Sequence, residues 1–210
     1  MHSEKKDNFF TREKEIIDGI PIIAISGPVA SGKWIIAEHI EKTYGFYHLN
    51  LSEILIERLQ EEERQPPFTR SDVAQLNLEL QNSFGKDVVI KMGLDKIEKI
   101  HKIKPFIGVV IEGNRHFEET LYLDGFRNII LIWIDASIEE RFRRNLRRGR
   151  SGDITEFNSF LENDSLEKIS MRGIRELSHL VIVNEGPMSE KLKTIDLFIE
   201  SIFQDIPRIS

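Results

Sequence analysis

One short segment combines two glycines, a serine and a lysine at the spacing of a phosphate-binding loop. Residues 27–33 fit the pattern G-x-x-x-x-G-K, between a β-branched run and a helical pattern. The glycines permit a tight turn, so that successive N–H groups and the N-terminus of the next helix attract phosphate oxygens. We expect the Lys33 ammonium to reach the terminal phosphates and to face solvent, without a partner, until they bind. The predicted phosphate contacts are Gly27, Val29, Ala30, Ser31, Gly32 and Lys33. Residues 27–33 are called the phosphate loop below.

The residue after Lys33 departs from the usual pattern. This position normally carries Ser or Thr, whose hydroxyl binds Mg²⁺, but here it is Trp34. The indole N–H is only a donor and cannot bind a cation. Two alternatives follow. Either water, phosphates and an acidic residue elsewhere hold the metal, or the site binds nucleotide without turnover.

A second set of polar residues follows a continuous apolar run. Residues 106–111 have the composition of a strand covered on both faces, and Glu112-Gly113-Asn114-Arg115 comes next. Ligands collect at the carboxyl ends of parallel strands. We predict that Glu112 is the Mg²⁺ site residue and that the planar Arg115 guanidinium clamps an acceptor phosphate. The alternative is a loop glycine between surface charges.

Residues 141–150, called the arginine run below, contain six arginines. Helical spacing places Arg141, Arg144 and Arg148 on one side, and Gly149 ends the helix. Arginines before a glycine-containing segment suit a lid that closes over phosphates. A solvated face paired with neighbouring glutamates is the second alternative, and a nucleic-acid patch is the third.

The elements that must position these residues alternate along the chain. The patterns predict strands at 20–26, 46–49, 106–111, 128–134 and 180–183, with helices at 34–44, 52–64, 71–83, 86–102, 115–123, 137–149 and 188–203. Ser137-x-x-Glu140 has the spacing of a capping box at one helix start. The alternation predicts a three-layer α/β/α fold around a parallel sheet of about five strands. The consecutive helices at 52–64 and 71–83 form an inserted region over one sheet edge.

Composition limits the class of protein. The chain of 210 residues suits one large domain, which we place at residues 19–210 after a tail or short helix at 1–18. The absence of cysteine excludes disulfides, and no apolar run reaches the ~18 residues of a membrane span. We therefore expect a cytoplasmic protein with no membrane partner. The net charge of -6 disfavours a surface that coats nucleic acid.

Together these residues resemble the P-loop nucleoside monophosphate kinase group, most closely its dephospho-coenzyme A kinase and deoxynucleoside monophosphate kinase-like members. The resemblance covers residues 20–186. Besides the phosphate loop it rests on residues 47–55, Thr69-Arg70, residues 112–116, residues 141–153 and Val183-Asn184-Glu185-Gly186. It implies a P-loop kinase fold with a helical acceptor-binding insertion, a short lid, and Mg²⁺ and ATP as cofactors.

The same resemblance implies roles for individual residues. Arg115 would contact the acceptor, and Asn184 would lie near the nucleotide base. Arg144, Arg148 and Arg150 would cover the transferring phosphate.

Besides Trp34, the sequence departs from the resemblance at Glu53, Ile56, Gln81 and Ser178-His179. Ile56 and Gln81 stand where the group commonly has acceptor-binding arginines. This difference favours an acceptor with less charge, or a degenerate site.

Three functions are therefore open from the sequence. The first is an ATP-dependent phosphotransferase acting on a nucleotide-like small molecule, of the nucleoside monophosphate or dephospho-coenzyme A type. The second is a catalytically degenerate, nucleotide-binding regulatory module, which Trp34, Ile56 and Gln81 favour. The third is a polynucleotide-directed kinase, for which the arginine run is the sole motive.

Overall fold

The computed structural model describes residues 19–62, 64, 66–149, 152–203 and 208. Within them, one sheet contains the strands β1 (Ile22–Ser26), β2 (Tyr47–Asn50), β3 (Val109–Glu112), β4 (Ile129–Asp135) and β5 (Leu180–Val183). The spatial order is β2-β3-β1-β4-β5, and every neighbouring pair is parallel. All five strands therefore end at the same edge, and β1, which leads into the phosphate loop, lies at the centre.

Nine helices connect and cover these strands within the described residues. They are α1 (Lys33–Tyr44), α2 (Leu51–Glu61), α3 (Arg70–Phe84), α4 (Val88–Ile103), α5 (Phe117–Asp124), α6 (Ile138–Arg148), α7 (Phe157–Ser170), α8 (Ile174–Leu177) and α9 (Met188–Ile202). Helices α2, α3 and α4 lie between β2 and β3, and α2 and α3 form the inserted region. The three-layer α/β/α fold predicted from the sequence is confirmed.

The core lies on both faces of the sheet because side chains alternate along each strand. Ile23 and Ile25 of β1 pack with residues of α1 and α9. Ile22 and Ala24 of the same strand pack with residues of α2, α3 and α4. Because both faces of the central strands are covered, β1, β3 and β4 read as apolar runs, which is why their positions were predictable.

Helix α7 was not predicted. Only two of its side chains, Phe160 and Asp164, are buried, whereas Leu161, Leu166 and Ile169 are exposed. Apolar spacing reveals a helix only when the apolar positions share its buried face. Helix α7 lacks that stripe, so the apolar pattern missed an element that carries site residues.

Two local predictions also need correction. The third strand begins at Val109, where its pairing with Tyr47 starts, rather than at residue 106. The Phe106 ring, before the strand, stacks on Tyr47 with 5.2 Å between ring centroids. Helix α6 does begin after Ser137, but that side chain makes no capping hydrogen bond. The Ser137 N–H instead donates to Glu185 Oε1 at 3.0 Å.

Some expectations concern segments that the description does not reach. The tail or short helix at residues 1–18 and the lid residue Arg150 lie outside the described residues. In the part of the chain that is described, no helix has the length and apolarity needed to cross a membrane.

Candidate functional site

The phosphate loop is built into the carboxyl edge of the sheet by close backbone packing. A Cβ atom on Gly27 would lie 2.0 Å from the Ile134 carbonyl oxygen, and one on Gly32 would lie 2.3 Å from Asn184 Nδ2. Both glycines also have positive φ angles, of 144° and 104°. Glycine is therefore required at both ends of the loop, which explains the G-x-x-x-x-G spacing.

Lys33 does not face solvent unpaired, contrary to the sequence-based prediction. Its ammonium donates to the carbonyl oxygens of Gly27 (2.6 Å) and Pro28 (2.9 Å), and the side chain is half-buried. Burial, together with the nearby Arg115 guanidinium, lowers the pKa of Lys33 to about 8. The lysine thus folds back onto its own loop.

Asn184 and Arg144 support the loop from behind. The Asn184 amide donates to the Ser31 carbonyl oxygen at 2.7 Å. The Arg144 guanidinium donates to the carbonyl oxygens of both Ser31 (3.2 Å) and Asn184 (2.7 Å), and its Nε donates to Glu140. Both residues therefore contact the loop backbone directly.

The carboxylate predicted for the metal lies at the end of β3. Glu112 is buried and accepts a hydrogen bond from Asn50 Nδ2 at 3.0 Å, while His48 Nε2 lies 3.6 Å from Glu112 Oε1. Burial by itself would lower the pKa of His48, but Glu112 and Glu41 outweigh it and raise that pKa. These contacts hold Glu112 in one orientation.

Trp34 packs against His48, which neighbours this carboxylate. Its ring centroid lies 4.9 Å from that of His48, and the side chain is 43% exposed. Among the described residues, no group of three or more histidines, aspartates or glutamates could hold a metal ion. Glu112 fits a Mg²⁺ ion held mainly by water and substrate phosphates, which is common for this cation.

A cavity of about 630 Å³ opens beside the loop. It is lined by Val29, by three arginines and by an apolar wall from the inserted region and α4. The arginines are Arg70, Arg115 and Arg148, and the apolar wall includes Leu51, Leu55, Ile56, Phe68 and Val89. Burial lowers the pKa of Arg70, and the nearby Arg115 and Arg148 lower it further, so the three positive charges act on one another. This space is called the acceptor cavity below.

Each of these arginines has an acidic partner. Arg115 Nη1 lies 3.1 Å from Glu167 Oε1. Asp153 accepts from Arg148 Nε at 3.0 Å and from Arg70 Nη1 at 3.5 Å. The segment after the arginine run thus supplies carboxylates that balance the charge of the cavity.

Glu167 also reaches the phosphate loop. Its Oε2 accepts a hydrogen bond from the Val29 N–H at 3.0 Å, across 138 residues of sequence, and the side chain is 9% exposed. The loop amide thus already binds an anionic oxygen, which is the property that phosphate binding requires. Nothing in the local sequence of Glu167 distinguishes it from a surface glutamate of a helix.

The arginine run divides into residues with different surroundings. Arg141 is fully buried, donates to the Ala136 and Val29 carbonyl oxygens, and pairs with the buried Asp164 at 2.6 Å. Arg143 is exposed and pairs with Glu140. Arg144 contacts the back of the loop, and Arg148 lines the acceptor cavity. Similar spacing on one helix therefore does not give these arginines a common position.

Several solved structures share this fold. Shikimate kinase from Bacteroides thetaiotaomicron matches with a TM-score of 0.59 and 10% identity, over 86% of this chain and 98% of that one. A sugar kinase from Janibacter sp. HTCC2649 matches with a TM-score of 0.55 and 14% identity, over 90% and 98% of the two chains. The molecule therefore has the fold of the P-loop kinases. These matches do not single out the dephospho-coenzyme A kinase group.

Relatives in sequence identify the family. A UPF0200 protein of Pyrobaculum aerophilum is 30% identical over 176 residues, which cover 83% of this chain and 93% of the relative. Another, of Thermococcus sibiricus, is 28% identical over 185 residues, covering 86% and 95%. The chain belongs to the UPF0200 family. No family model matches it.

Proposed function

We propose that this protein is an ATP-dependent phosphotransferase that acts on a nucleotide-like small molecule, of the nucleoside monophosphate or dephospho-coenzyme A type. The observation that carries the proposal is the meeting of two binding sites. The phosphate loop, with an amide that binds an anionic oxygen, opens at Val29 onto a cavity lined by three arginines. A donor phosphate and an acceptor would meet there.

The residues would divide the work of an in-line transfer without a covalent intermediate. The loop amides and the Lys33 ammonium bind the donor phosphates, and Arg115 and Arg148 face the acceptor and the transferring group. Arg144 and Asn184 act indirectly: they hold the loop backbone in place by donating to the Ser31 carbonyl oxygen. Mg²⁺, held by water, phosphates and Glu112, would neutralise charge that develops on the phosphate oxygens.

The acceptor cavity supports a nucleotide-like acceptor of modest charge. Ile56 adds to its apolar wall, and Gln81 donates to Asn77 Oδ1 at 2.9 Å and lies 2.8 Å from His116 Nε2. At the two positions that lack arginine, Ile56 thus provides an apolar side chain and Gln81 a neutral, hydrogen-bonded one. Arg70, Arg115 and Arg148 remain for an anionic group of the acceptor.

A nucleotide-binding module without turnover is the second candidate. Trp34 beside His48 favours it, because the indole stands where a hydroxyl usually binds the metal. A polynucleotide substrate has less support. Arg141 is buried and Arg143, Arg144 and Arg148 pair with carboxylates, so these arginines do not form an open basic surface.

A transfer screen separates the two candidates. The protein is incubated with ATP, with and without Mg²⁺, and with nucleoside monophosphates and dephospho-coenzyme A, while ADP formation is followed. Lys33→Ala should abolish transfer, whereas the control Lys42→Ala, on the exposed part of the same helix, should leave it unchanged. Tight ATP binding that is independent of Mg²⁺, with no transfer to any acceptor or to water, would establish the module instead.

A further inference from the structure

Glu167 occupies the position at which the proposed function requires a phosphate. Its two carboxylate oxygens have different partners: Oε2 accepts from the Val29 N–H at 3.0 Å, and Oε1 lies 3.1 Å from Arg115 Nη1. One carboxylate therefore bridges the donor loop and an arginine of the acceptor cavity. Its charge is also close enough to Lys33 to affect that ammonium.

This arrangement reproduces the surroundings of a bound phosphate. A phosphate in the loop would take its hydrogen bonds from backbone amides and its charge balance from a lysine and an arginine. The Glu167 carboxylate has one such amide, one such arginine and the nearby Lys33, and it is almost wholly shielded from water. A phosphate group and this carboxylate cannot use the Val29 N–H and Arg115 at the same time.

The surrounding helix is anchored independently of Glu167. One turn earlier in α7, Asp164 pairs with Arg141 at 2.6 Å, and both side chains are buried. Glutamate has several rotatable bonds, so its carboxylate can leave the loop by side-chain rotation while this anchor holds the helix. Displacement of Glu167 thus requires no movement of α7.

We propose that the Glu167 carboxylate is an internal substitute for phosphate, which any polyphosphate ligand must displace from the Val29 N–H and Arg115. The inference rests on the proposed function, because it assigns the phosphate loop to donor phosphates. It adds a regulatory feature that the loop motif does not contain. The Glu167 carboxylate offsets positive charge at the site. The affinity for polyphosphate therefore depends partly on competition between this carboxylate and the ligand for the Val29 N–H and Arg115.

Titration calorimetry with pyrophosphate and with ATP tests the proposal. Glu167→Gln removes the charge but keeps an oxygen near Val29. Because hydrogen bonds to charged groups are stronger than those to neutral ones, this variant should bind both ligands with an affinity at least about ten times that of the wild type. Glu167→Asp keeps the charge on a side chain too short to bridge both partners, and should also bind more tightly. Glu162→Gln removes an exposed charge from the same helix and should behave as the wild type.

The outcomes are distinguishable. Equal affinities in the wild type and Glu167→Gln would overturn the inference. So would a gain in Glu167→Gln that is absent from Glu167→Asp, because that result indicates a long-range field effect and not occupation of the site. A gain for pyrophosphate without ATP binding in any variant would support the inference and overturn ATP as the donor. Binding of neither ligand by any variant would overturn both.

Discussion

At the residue scale, the properties of Lys33 differ from those of a surface lysine. Its ammonium is held by two carbonyl oxygens of the phosphate loop, and burial and Arg115 lower its pKa to about 8. A lysine of this kind loses its charge within the pH range in which the protein can be studied. Phosphate binding should restore the proton, because a nearby negative charge favours the ammonium.

The first prediction concerns the pH dependence of ATP binding. Above about pH 8 the free protein lacks the Lys33 proton that the complex holds, so binding takes up a proton and affinity falls as the pH rises from 7 to 9. Calorimetry in buffers of different ionisation enthalpy measures this uptake. Lys33→Arg keeps its charge at these pH values and should show no such uptake. An equal uptake in Lys33→Arg would assign the proton to another group.

The second prediction concerns Trp34 and Glu112. Glu112→Gln can still accept from Asn50 but loses the carboxylate, so the Mg²⁺-dependent part of ATP affinity and of turnover should disappear. Glu41→Gln is the control, because it removes an exposed carboxylate on the other side of His48. Trp34→Thr supplies a hydroxyl and should increase Mg²⁺ affinity. Unchanged Mg²⁺ dependence in Glu112→Gln would remove Glu112 from the metal site.

At the element scale, helices α6 and α7 together complete the site. Helix α6 directs Arg141 into the core, Arg144 to the back of the loop and Arg148 to the acceptor cavity. Helix α7 supplies Asp164, which pairs with Arg141, and Glu167, which contacts the loop. Arg141 and Arg144 thus have their partners in the core and behind the loop, and the lid stays a prediction for the end of α6.

The third prediction compares Arg148, at the end of α6, with Arg143, on its exposed side. Arg148→Ala should lower turnover more than it weakens ATP binding, because a charge that faces the transferring group acts mainly in the transition state. Arg143→Ala, at an exposed pair with Glu140, should change neither by more than about twofold. Steady-state kinetics and calorimetry supply the two quantities. Similar effects from both substitutions would show that Arg148 also belongs to a solvated face.

The fourth prediction concerns the buried pair between α6 and α7. Asp164→Asn leaves the buried Arg141 charge without its counterpart and should lower the free energy of unfolding by about 3–5 kcal/mol. Arg141→Ala should cost less, because Asp164 keeps Lys168 as a partner at 2.9 Å. Urea denaturation measures the loss. The double variant should be less destabilised than the sum of the single ones, because it leaves no isolated charge. Strict additivity would mean that the two side chains do not interact.

At the scale of the whole molecule, two hydrophobic clusters share one central sheet. Alternate residues of β1 belong to different clusters. Loss of β1 from one cluster would therefore also expose the apolar side chains of the other. We infer that the described part of the chain unfolds as one domain. Ligand bound at the edge of β1 should then stabilise the entire structure.

The fifth prediction follows from this coupling. ATP at one hundred times its Kd should add about 2.7 kcal/mol to the free energy of unfolding and raise Tm by roughly 5–10 °C, with a single transition. Lys33→Ala should show a much smaller shift at the same ATP concentration, while Lys42→Ala should match the wild type. A full shift in Lys33→Ala would place the nucleotide away from the phosphate loop.

Local sequence determined much of this protein. The G-x-x-x-x-G-K spacing marked a loop in which side chains larger than glycine would collide with Ile134 and Asn184, and the buried parallel strands appeared as apolar runs. Both are features of neighbouring residues, since a turn depends on backbone angles and a covered strand on its own composition.

Tertiary structure decided how the site residues are used. Glu167 meets Val29 across 138 residues, Lys33 turns back on its loop, and Arg141 is buried while Arg148 lines a cavity. Such contacts depend on where α7 packs, and that helix has no apolar stripe to reveal it. Spacing along one helix fixes the direction of a side chain, whereas its partner is fixed by the packing of distant elements.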